Sequence, residues 1–131
     1  MIKKDTIEFK IVSLIDIAGE MQTKDLFRLK YGNEYIRKVI SRLKSDGYIK
    51  AYKFDNIKCL RLTSKCKKYL KENFPERFAD SFIGATATNK IRNDAHRRMR
   101  RHRLGEVLTL ADLTGVKIFA DEKSLMKKTL G

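Results

Sequence analysis

The chain has no tryptophan, one proline, seven glycines and two cysteines among its 131 residues. With so little proline and glycine, long structureless linkers are not expected. Cys59 and Cys66 lack a CxxC spacing and fall in stretches that read as a strand and a helix. They are expected to be two reduced thiols of a cytoplasmic protein. No run approaches the roughly 20 apolar residues that a membrane-spanning helix needs. "MIKKDTIEFKIVSLIDIAG" places lysines before apolar residues, but Asp5, Glu8, Lys10 and Asp16 interrupt any export-signal core. Phosphate-loop, dinucleotide, zinc-protease and nucleophile-elbow signatures are all missing. No enzyme activity, cofactor, metal or small-molecule substrate is therefore expected. Acidic residues are the last shortage. Sixteen Asp and Glu face 30 Lys and Arg, a formal charge of +14 and a pI near 9.9. Such an excess attracts polyanions, nucleic acid first and anionic membrane surfaces second. Without a spanning or anchoring segment, a membrane partner is not expected.

What is present is a regular order of elements. Asp5-Thr6-Ile7-Glu8 has the look of a capping box with Asp in place of Ser or Thr. Ile7, Ile11, Leu14, Ile15 and Ala18 then recur at helical spacing, and Gly19 stops the helix. After a short extended link, Thr23 is placed to cap a second helix that buries Leu26 and Phe27 and ends at Tyr31-Gly32. Asn33 is placed to cap a third, whose stripe is Ile36, Val39, Ile40 and Leu43 and whose end is Gly47. The period then changes to two. "YIKAYKF" and "IKCLRL" flank Asp55-Asn56, a tight hairpin turn because both residues tolerate positive φ. Thr63 caps a fourth helix that stops at Pro75.

Three helices, a hairpin and a helix in this order predict a winged helix-turn-helix over residues 1–75. The fold class is then α+β, mostly helical, with an Arg-rich helical extension over residues 76–131. That extension is read as a short helix and loop, a long helix from Asn89 or Asn93 to about Leu113, a strand at "VKIFA" and a turn capped by Asp121.

In a winged helix the third helix enters the major groove and the hairpin lies along the backbone or in the minor groove. Arg37, Lys38, Ser41, Arg42 and Ser45 share the polar face of that helix. Arginine reads guanine through a fork, whereas Lys and Ser suit phosphates. Lys53 and Lys58 flank the hairpin tip, Arg61 follows on the second strand, and Lys24 and Arg28 reach for the flanking backbone. The stretch "NDAHRRMRRHRLGEV" adds five arginines and two histidines within eight positions. On a wheel, Leu104, Val107, Leu108 and Ala111 form an apolar face, suited to packing or to a homodimer. Arg97, Arg100 and Arg101 continue that face one and two turns earlier, while Arg98 and Arg103 point elsewhere. A turn ringed by arginines resists burial, so the first half of the helix is expected to project as a phosphate clamp. His96 and His102 lie six apart and make a poor metal pair.

"YIRKVISRLKSDGYIKAYKFDNIKCLRLTSKCKKYL" resembles the core of winged-helix DNA-binding proteins of the MarR and PadR kind, through Leu43, Gly47, Tyr48, Ile49 and Leu62-Thr63. It departs from them at Cys66, where such sequences often have glycine. "AHRRMRRHRLGEVLTLADLTGVKIF" is similar to the segment after the winged helix in replication-relaxation-type proteins of plasmids and integrative elements. The resemblances imply a double-stranded DNA-binding regulator of transcription, or an accessory factor in replication or transfer of a mobile element, associated with nucleoid or plasmid. The competing expectation is a winged-helix adaptor that binds protein or RNA in a replication or mobilisation complex.

Overall fold

A computed structural model describes residues 2–78 and 95–113, apart from the side chains of Ala95, His96, Arg97 and Leu113. The expected loop after Phe78, the strand at "VKIFA" and the turn at Asp121 lie outside the described residues.

The protein is α+β and mostly helical, with one small antiparallel sheet. The order is α1 (Ile7–Ala18), β1 (Met21–Gln22), α2 (Thr23–Leu26), α3 (Asn33–Ser45), β2 (Ile49–Phe54), β3 (Ile57–Leu62), α4 (Ser64–Asn73), α5 (Pro75–Phe78) and α6 (Ala95–Leu113). The apolar stripe of α1 forms the centre of the core, with Ile11, Leu14 and Ile15 fully buried. Its cap differs from expectation by one residue. Thr6 Oγ1 accepts from the Phe9 amide at 3.2 Å, while Asp5 sits outside the helix at φ +63°. A hydroxyl at position 6 is in register with the third helical amide, and the Asp5 carboxylate stands one position too early.

Thr23 and Asn33 are also the first helical residues of α2 and α3, after Gln22 and Gly32, which cap with backbone alone. The second helix is shorter than its pattern suggests. Beyond Leu26, the amides of Phe27, Arg28 and Leu29 donate to carbonyls three residues back, so the chain tightens into a turn. The α3 stripe of Ile36, Val39, Ile40 and Leu43 is buried as expected. Gly47, at φ +77°, closes α3 with the Tyr48 amide donating to Leu43 O at 2.9 Å.

The sheet order is β1-β3-β2. The hairpin turn has Asp55 at φ +52° and Asn56 at φ +65°, as a two-residue turn between twisted strands requires. Lys53 stands opposite Lys58, and Tyr52 opposite Cys59. β1 pairs only with Leu60 and Cys59, so towards its tip the sheet is two strands wide. Thr63 caps α4 by accepting from the Cys66 amide at 3.1 Å, and its hydroxyl donates to Gly47 O at 2.6 Å. That bond ties the end of α3 to the start of α4. Pro75 opens α5, whose Phe78 meets Phe9 edge-on.

The core runs through both parts of the sequence, since Phe78 and Leu108 join the cluster built on α1. No helix among the described residues is long and apolar enough to cross a membrane.

Candidate nucleic-acid interface

One groove runs between α2, α3 and the hairpin. Lys24, Arg37, Ser41, Lys44, Lys53 and Lys58 supply its polar lining, and Phe27 and Ile40 its apolar floor. Arg37, Ser41 and Lys44 lie one turn apart on the exposed face of α3, because the spacing i, i+4, i+7 returns to one side. Lys53 and Lys58 reach the groove because alternation along β2 and β3 turns them to the face that looks towards α3. No carboxylate lines the groove among the described residues. Glu34 meets Arg37 at 3.6 Å across open solvent, where such a pair holds little. Arg37 lies over the Phe27 ring at 5.4 Å.

The structure thus brings together Lys24, Arg37, Ser41, Lys53 and Lys58 of the residues expected from sequence. Lys44 belongs with them and was missed, although its position three after Ser41 marks the same face. The others are placed differently. Lys38 is exposed beside the groove. Arg42 is drawn off it by Glu8 at 3.3 Å. Arg28 pairs with the buried Asp25 at 2.9 Å. Burial raises the Asp25 carboxyl above its usual range, against the pull of Arg28 and Lys24.

Arg61 does not serve the hairpin surface at all. It is 3% exposed, and its Nε donates to Glu20 Oε1 at 2.6 Å. Glu20, fully buried in the link between α1 and β1, is the centre of a second basic cluster. Arg98 forks onto it, Nε to Oε2 and Nη2 to Oε1, both at 2.9 Å. His102 Nε2 stands 2.7 Å from Oε2, and Cys59 Sγ lies 3.4 Å from the same nitrogen.

The expectation that the first half of α6 projects into water is therefore corrected. Arg98 and His102 are buried because Glu20 supplies the counter-charge that the local sequence lacks. Burial alone would raise the Glu20 carboxyl. Hydrogen bonds from His102 and Arg98, with the charge and hydrogen bond of Arg61, reverse that and hold it at about 2. Arg101 is half-buried against Gly19, where an added Cβ would stand 2.5 Å from Arg101 Nε. Arg100 and Arg103 are exposed, and the Arg97 side chain lies outside the described residues. The face expected to dimerise is largely used by the chain's own core. Leu108 is buried, Leu104 and Ala111 pack on the core, and Val107 is exposed.

Glu20, Cys59 and His102 place three potential metal-ligand atoms within 4.8 Å of one another, a grouping that the sequence spacing did not suggest. Charge argues against a cation there. Both Glu20 oxygens already accept from guanidinium groups, which would repel a divalent ion. The thiol is poorly disposed to ionise as well, since burial and then the Glu20 charge push Cys59 up to about 11. The cluster is better described as a buried ion-pair network.

No protein-family model, curated protein or solved structure was found to match the chain.

Proposed function

We propose that this chain is a winged helix-turn-helix protein that binds double-stranded DNA in the groove between α3 and the hairpin. One observation carries the reading. Among the described residues, five cations and no carboxylate line that groove, and two of the cations, Lys53 and Lys58, stand directly opposite each other in the ladder. A like-charge cross-strand pair is unfavourable by itself, and a phosphate between the two lysines removes the conflict. The helix order and the antiparallel hairpin support the winged-helix reading.

In this reading Arg37 and Ser41 face base edges, because they sit mid-helix on the exposed side of α3. Lys24, Lys44, Lys53 and Lys58 hold the flanking phosphates. Regulation of transcription, or an accessory role in replication or transfer of a mobile element, follows from the resemblance given above.

Titration with duplex DNA at two salt concentrations tests the proposal. Four lysine–phosphate contacts correspond to a loss of roughly 150-fold in affinity between 50 and 200 mM salt. Flat salt dependence overturns it. RNA bound as tightly as duplex points instead to an adaptor on a structured RNA.

A further inference from the structure

The hairpin tip has little support from its own sheet. β1 ends its pairing at Cys59, so Lys53 to Lys58 form a two-stranded ribbon, which is marginal by itself in water. What braces it is α6. Phe54 is the last residue of β2, beside Lys53 and before the turn. Its ring lies under the Arg98 guanidinium at 4.1 Å, and the His102 ring meets it edge-on with centroids 6.1 Å apart. Arg98 cannot drift, because its fork is fixed on Glu20, and Glu20 is fixed in turn by Arg61 of β3. A chain of contacts therefore runs from the α1–β1 junction through Glu20, Arg98 and Phe54 to Lys53.

α6 is also seated closely enough to act as a brace. Gly105 lets Met21 approach, and a Cβ there would stand 3.1 Å from Met21 Cγ. Strand alternation keeps the two functions on opposite faces of the hairpin. Phe54 faces α6, while Lys53 and Lys58 face the groove.

We infer that Arg98 is a positioning residue for nucleic-acid binding: it sets where Lys53 and Lys58 stand relative to α3, without touching the nucleic acid. The inference rests on the reading of the groove as a duplex site.

The test is Arg98→Met in the full chain, which keeps an unbranched side chain about as long as the arginine stem and removes its fork and charge. Duplex affinity should fall roughly tenfold through lost coupling. The slope of log affinity against log salt should stay unchanged, because no phosphate contact is lost. Amide exchange at Phe54 to Ile57 should quicken as the tip loosens. Arg98→Lys restores a charge for Glu20 but no planar fork over the ring, so it should recover only part of the affinity.

Phe54→Leu reaches the same contact from the other side and leaves Glu20 intact. Combined with Arg98→Met, it should add little further loss. If Arg98→Met does not fold, Phe54→Leu alone decides, by affinity and by amide exchange. Unchanged affinity in a folded Arg98→Met protein overturns the inference. So does a salt slope lowered by about one, which would mark Arg98 as a phosphate ligand. If Lys53→Ala and Lys58→Ala leave duplex binding intact, the groove assignment fails, and tip exchange in Arg98→Met still decides whether the brace exists.

Discussion

Arg37 and Arg98 carry the same guanidinium in opposite surroundings. Arg37 stands on α3 with 65% of its side chain exposed, over the Phe27 ring and beside a solvated glutamate. Arg98 is 4% exposed and locked in a fork on a carboxylate that water does not reach. The difference lies in the carboxylate: a buried acid turns one basic segment into part of the core, and its absence leaves the other available to an external anion. Net charge therefore says little about which cations serve a ligand until their internal partners are known.

The strongest way to break the contrast is to remove the acid. Glu20→Gln leaves Arg61 and Arg98 without their counter-charge, and should cost about 3–5 kcal/mol of stability in urea unfolding. Arg37→Ala should change stability by no more than about 0.5 kcal/mol. Acid probes the same group. Glu20 falls from an ordinary 4.5 to about 2 in the folded chain, so its contribution is fully present above pH 4.5. As pH drops towards 2, about 3 kcal/mol should be lost through proton uptake on unfolding. Glu20→Gln should flatten stability over that interval, and a variant that keeps the full dependence would show that another carboxylate is responsible.

On the exposed side, Lys44→Ala should reduce the salt slope of duplex binding by about one with stability intact. The smallest response is expected from the thiols. Burial pushes Cys66 up to about 12, and Cys59 to about 11, so neither should be alkylated in the native protein at pH 8. Both should label in denaturant. Rapid native labelling of Cys59 would show that the sheet face beneath α6 opens to solvent.

The elements set by near neighbours were legible in the sequence. The α3 stripe, the Asp55-Asn56 turn, the Gly47 stop and the Thr63 cap each depend on a few adjacent residues, and each is found where the pattern places it. The groove was legible in part, since exposed helix positions and strand alternation assigned five of its polar residues. The Glu20 cluster was not. Glu20 reads as an ordinary polar link residue, and its partners lie 41, 78 and 82 positions away. The inward face of α6 includes Arg98, His102, Gly105 and Thr109, a polar and small-residue stripe at helical spacing. A search for apolar periodicity passes over such a stripe, although a glycine and a threonine in line with two cations mark a helix that packs closely on something acidic.

The span of 78 residues between Glu20 and Arg98 also has a consequence in time. A chain made from its N-terminus completes Glu20, β1 and Arg61 well before Arg98 leaves the ribosome. During that interval the carboxylate has one of its two guanidinium partners, and the face bearing Phe54 and Cys59 is uncovered. The last described helix to be synthesised thus supplies the missing charge at the end of the first. The contacts of Phe54 with Arg98 and His102 can form only once α6 has docked.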